Sequence, residues 1–117
     1  MSTMTKTDWA TYCLGKPGAW PDEPWEGDQV AKVGAKIFAF LGSGGAPAIG
    51  LKCGNRETAD LLIERYPDAV TKSPYIGQHG WNVIKLDGTV PDDEVAELID
   101  RSYALVVASL PKRDRPG

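Results

Sequence analysis

The stretch "VAKVGAKIFAFLGSGGAPAIGLKC", residues 30–53, restricts the fold more than any other part of the chain. Two runs with apolar residues at every second position flank a glycine-rich link, and a period of two is the repeat of a half-buried strand. Val33, Ala35, Ile37, Ala39 and Leu41 fall on one side, and Lys32, Gly34, Lys36, Phe38 and Phe40 on the other. Beyond "GSGGAP" (42–47), Ile49, Leu51 and Cys53 oppose Ala48, Gly50 and Lys52. A link this short joins neighbours, so the two strands pair as an antiparallel hairpin.

The flanking segments set what this hairpin packs against. "AWPDEPWEGDQV" has prolines at 21 and 24, which a central strand does not tolerate, so it reads as a loop feeding an edge strand. Residues 7–14 predict a short helix capped by Thr7 or Asp8, with Trp9, Tyr12 and Cys13 on one face. "GNRETADLLIERYPD" predicts a second helix, capped by Asn55, with Ala59, Leu62, Ile63 and Tyr66 inward. "AVTKSPYIG" predicts a short strand, Gly77–Gly80 a turn and "WNVIKLDG" another strand. The last helix opens at Pro91, with acids at 92–94 and an inner stripe of Val95, Leu98, Ile99, Ser102 and Val106.

The order is helix, three strands, helix, two strands, helix. This predicts a single α+β domain over residues 1–117, frayed near 1–6 and 113–117: a two-layer sandwich with an antiparallel sheet and the helices on one face. The other sheet face can then meet water. If Val33, Ala35, Ile37, Ile49, Leu51, Cys53, Ile84 and Leu86 face the helices, the open face carries Lys32, Lys36, Phe38, Phe40, Lys52, Trp81, Val83 and Lys85.

Lysines interleaved with aromatic rings are one way to hold DNA or a single-stranded nucleic acid, cations following phosphates and rings stacking on bases. The pattern equally serves a solvated sheet, where lysine stems cover apolar surface. The net charge of −3 weighs toward the second reading, because nucleic-acid binders are usually basic. That charge is unevenly spread: residues 30–90 hold 7 basic and 5 acidic side chains, between two acidic ends. A protein or small ligand is therefore the alternative partner for the same face.

Catalytic chemistry finds little support. His79, the single histidine, sits in "GQHG" with no nucleophile motif near it, so it reads as a turn residue first and a contact residue second. Cys13 and Cys53 lack CxxC spacing and read as small buried hydrophobes. "LGSGGAP" is no phosphate loop, and the acids at 92–94 and 97 suit a helix N-terminus rather than a metal. No enzyme activity, cofactor or metal is expected. No apolar run approaches the roughly 20 residues of a membrane span, and no leader pattern is visible, so the cytoplasm is the expected location and no membrane partner is expected.

Several segments together resemble the MmcQ/YjbR family of small bacterial proteins. They are "YCLGKPGAW", "EPWEGDQVAKVGAKIFAFLG", "LKC", "ADLLIERYPDAV" and "SPYIGQHGWNVIKLDGTVPDDEVAELIDRSYALVVASLPK". The most specific pieces are the Cys-Leu-x-x-Pro-Gly-Ala start, Lys36-Ile37-Phe38-Ala39, Gly80-Trp81, and Asp100-x-Ser102-Tyr103 leading to Leu110-Pro111-Lys112. The resemblance implies a fold similar to bacterial frataxin and to secretion chaperones, and the family's usual description as DNA-binding. It brings no catalytic residues to carry over. A frataxin-like iron role calls for acids along the first helix, where this chain offers only Asp8.

Overall fold

The computed structural model describes residues 5–42, 47–74 and 76–116. Its elements are α1 (Lys6–Leu14), β1 (Ala19–Trp25), β2 (Asp28–Val33), β3 (Lys36–Gly42), β4 (Ala48–Lys52), α2 (Arg56–Arg65), β5 (Val70–Lys72), β6 (Trp81–Lys85) and α3 (Asp92–Ser109). The six strands form one antiparallel sheet in the order β1-β2-β3-β4-β6-β5. The α+β sandwich stands, with one strand more than expected: the run 30–42, which alternation reads as one strand, is two, β2 and β3, joined by a turn at Gly34 and Ala35, and the segment read as a loop is the edge strand β1. Pro21 and Pro24 fit there because an edge strand can leave one row of backbone groups unpaired. The link expected at 42–47 falls largely on residues 43–46, outside the described residues, and β3 and β4 pair on either side of it.

Helix starts follow local chemistry. Thr5 caps α1, not Thr7 or Asp8; Asp8 instead closes a capping box by accepting from the Thr5 N–H at 2.8 Å. Asn55 caps α2 as expected, accepting from the Thr58 N–H at 2.8 Å. All five residues of the predicted α3 stripe are buried. The helices cover one side of the sheet around Cys13, Val33, Phe38, Leu51, Ile84 and Ile99. The end of α1 is tied to α3: Tyr12 donates to Asp100 at 2.8 Å, Lys16 pairs with Asp100, and the Tyr103 hydroxyl donates to the Pro17 carbonyl at 2.5 Å. Near the end of the chain, Arg115 donates to the Leu110 and Ala108 carbonyls.

A bulge in β3 overturns part of the face assignment. Ala31 pairs with Ala39, but Lys32 pairs with Ile37, so Phe38 is the extra residue. A bulge lets two successive side chains lean the same way, and Phe38 and Ala39 are both fully buried in the core. Phe38 meets the Tyr103 ring of α3 edge-on, with centroids 5.2 Å apart. Before the bulge the parity inverts: Lys36 reaches the Ser109 hydroxyl of α3 at 3.0 Å, and Ile37 takes the other face with Lys32. Lys36 and Phe38 therefore leave the open face on which strict alternation puts them; Ala35, expected inside, is exposed for a different reason, because it lies in the turn between β2 and β3.

Ser102 closes the gap beside the bulge. Among the described residues, β3 and β4 pair at Ala39–Leu51 and Phe40–Gly50. Just past those pairs, the Ser102 hydroxyl donates to the Phe38 carbonyl at 2.6 Å and accepts from the Lys52 N–H at 3.0 Å. Ser102→Ala leaves both backbone groups without that partner, and an unsatisfied buried group costs about 1–3 kcal/mol. We expect urea unfolding to show a loss of about 2 kcal/mol; a loss below about 0.5 kcal/mol would mean water replaces the hydroxyl without penalty.

Candidate binding face and groove

The side of the sheet away from the helices carries an apolar centre. Phe40 pairs across with Gly50, which pairs with Val83. A Cβ at Gly50 would sit 3.1 Å from the Phe40 Cβ and 3.3 Å from its ring, so glycine leaves room for that ring to lie over β4. The ring reaches Trp81 on β6, meeting it edge-on at 5.4 Å. A groove of about 440 Å³ opens beside them, with Phe40, Gly50 and Val83 on its floor and Ser73, Pro74 and Ile76 of the β5–β6 connection along one wall. Asp28, at the start of β2, is the charged side chain in its lining.

The cations of this face are largely engaged. Lys32 pairs with Asp22 at 2.7 Å and lies over the Trp20 ring at 5.2 Å. That contact and the Glu23 N–H hold the Asp22 carboxyl below its ordinary value. Lys52, opposite Trp81, gives its ammonium to the His79 carbonyl at 2.7 Å. Lys85 is exposed opposite Ala48, and no ion pair to it forms among the described residues. The structure thus brings Lys32, Phe40, Lys52, Trp81, Val83 and Lys85 to this side of the sheet. It adds Trp20 and Asp22 from β1, which the proline-based loop reading hides.

His79 stands on the 3-10 turn Gly77–His79 and is exposed, with the Gln78 amide nitrogen 3.4 Å from its Nε2. That turn is clamped from α2: Arg56 donates to the Gly77 carbonyl at 2.5 Å and to the buried Asn82 side chain at 2.9 Å. Asn82 in turn donates to the Ala59 carbonyl at 2.9 Å. Sequence reasoning misses the Arg56–Asn82 pair; the one signal available is an asparagine at an inward strand position.

Among the described residues, no three His, Cys, Asp or Glu side chains are placed to hold a metal ion, and no helix is long and apolar enough to cross a membrane. A second hollow of about 200 Å³ lies between α2 and α3, with Cys53 in its lining. Burial pushes the Cys53 thiol up to about 11 and the Cys13 thiol up to about 12, so both stay protonated and poorly nucleophilic at neutral pH. We expect a thiol-reactive dye at pH 8 to label the native protein slowly and the urea-unfolded protein at both cysteines. A fast equivalent in the native state would contradict this burial. Because the unfolded thiols ionise near 9.0 and the folded ones do not, their contribution to stability is full below that pH and is lost as the pH climbs through 11–12.

Comparison with known proteins bears on this geometry. The family model described as YjbR matches residues 14–105. The uncharacterized protein YjbR of Escherichia coli K12 is 34% identical over 115 residues, covering 96% of this chain and 95% of the relative. A crystal structure of a Deinococcus radiodurans protein with a DUF419 domain superposes with a TM-score of 0.84 at 26% identity, over 94% of this chain and 84% of that one. A Pseudomonas syringae protein superposes with a TM-score of 0.70 at 22% identity, over 87% of this chain and 98% of that one, a likeness of fold alone.

Proposed function

The chain belongs to the YjbR family, and on that footing we propose that it is a non-enzymatic binding module that works through its open sheet face. Its ligand is a polypeptide segment or a small apolar molecule seated in the groove over Phe40, Gly50 and Val83. The observation that carries this reading is the apolar groove itself, set in a face whose lysines are mostly engaged elsewhere. Nucleic-acid affinity comes mainly from several cations meeting phosphates. Here Lys36 lies on the other side of the sheet, Lys32 is neutralised by Asp22, and Lys52 is spent on a carbonyl. The two buried, unpaired thiols support a reducing compartment such as the cytoplasm.

DNA or single-stranded nucleic acid is the second reading, favoured by Trp81 standing beside Lys52 with Lys85 on the same strand. The two readings separate in one experiment. Isotope-labelled protein is titrated with a short oligothymidylate at low salt and, separately, with short apolar peptides, and amide shifts are mapped. Shifts at Phe40, Gly50 and Val83 with peptide, lost in Val83→Lys, support the groove reading. Salt-sensitive shifts at Trp81 and Lys85 with the oligonucleotide alone, weakened by Lys85→Glu and Trp81→Ala, would replace it.

A further inference from the structure

The groove also indicates the charge of what it holds, an inference that rests on the open-face reading above. Both sheet edges discourage strand addition: β1 carries Pro21 and Pro24, and β5 is three residues long and followed closely by Pro74. A polypeptide ligand therefore lies on the face, in the groove. Asp28, the charged residue of the lining, stands opposite Trp25 in the β1–β2 register. Directly opposed residues of an antiparallel pair present their side chains to one face, and Trp25 is 58% exposed. The turn between them adds Glu26, and residues 17–31 contain no lysine or arginine. Among the described residues, no cation pairs with Asp28.

We infer that the groove accepts an extended polypeptide segment that places an apolar side chain over Phe40, Gly50 and Val83 and a neighbouring lysine or arginine between the Asp28 carboxylate and the Trp25 ring. A carboxylate beside an exposed indole suits a cation twice over, through charge attraction and through the negative face of the ring. Lys85, across the groove on β6, disfavours the opposite orientation.

The probes are the blocked peptides acetyl-Gly-Phe-Arg-Gly-amide, its Glu counterpart and its Gly counterpart, with a short oligothymidylate as a fourth. Each is titrated into the isotope-labelled full chain and read as amide shifts. The arginine peptide is expected to shift Asp28, Phe40, Gly50 and Val83, and to bind about fivefold more tightly than the glutamate peptide. Asp28→Lys, at an accessible strand start, is expected to reverse that order while leaving the ligand-free spectrum otherwise unchanged. Equal binding of the three peptides would overturn the cation assignment and leave the groove reading intact. No shift at these amides with any peptide would remove both, and shifts there with oligothymidylate alone would give the face to nucleic acid.

Discussion

Gly80→Ala is expected to destabilise the protein by about 4 kcal/mol or more, among the larger effects of a single substitution. Gly80 has φ +90°, a region that side-chain-bearing residues rarely adopt. A Cβ there would lie 1.8 Å from the Gly54 carbonyl oxygen, and the obstacle is backbone, so no rotamer relieves it. The two segments are also joined directly, the Cys53 N–H donating to the Gly80 carbonyl at 2.7 Å. Relief requires the 77–80 turn to leave the start of α2, which also costs the Arg56 contacts. Urea unfolding measures the loss, with Gly15→Ala as control: it has ordinary φ and nothing closer than 3.4 Å, and should change stability by less than about 0.5 kcal/mol. Equal effects of the two substitutions would refute the close approach.

Phe38→Ala is expected to cost about 3–5 kcal/mol, the range for emptying an aromatic site in a packed core. The side chain is fully buried and touches Tyr103. This substitution decides between two face assignments. Were Phe38 on the solvated face, as simple alternation puts it, truncation would stay within about 0.5 kcal/mol and would weaken ligand binding instead. Phe40→Ala should act the other way, with a smaller loss of stability and a clear loss of groove binding. A large stability loss at Phe40 and none at Phe38 would restore strict alternation.

The two positions also show why the candidate face is only partly legible in the sequence. In "KIFAFLG" apolar side chains stand on both faces, so alternation cannot say where parity slips. No glycine marks the bulge, whose extra residue is Phe38 itself. Where one face is plainly apolar and the other is not, as in "IGLKC", Ile49, Leu51 and Cys53 do lie in the core. β1 escapes the sequence for a different reason. Its prolines exclude a central strand, but a chain read without partners does not reveal that the strand lies at the edge. Asp22, Trp25 and Asp28, which shape one side of the candidate face, come into view only with that pairing.

His79 and the glycines around it mark the same division. Their clustering announces a turn, and a turn forms there. The reasons differ within it: Gly80 needs its positive φ and its closeness to the Gly54 backbone, while Gly77 has no positive φ and meets only the Lys72 side chain, which is exposed and can move. The amino-acid sequence by itself determined the sandwich, the inward stripes of α2 and α3 and the Asn55 cap, because periodicity and capping are local properties. The tertiary structure alone decided which side of the sheet Lys36 and Phe38 occupy, which lysines are engaged and where the groove opens. Those depend on strand register and on contacts between residues far apart in the chain, such as Ser102 with Phe38 and Lys52.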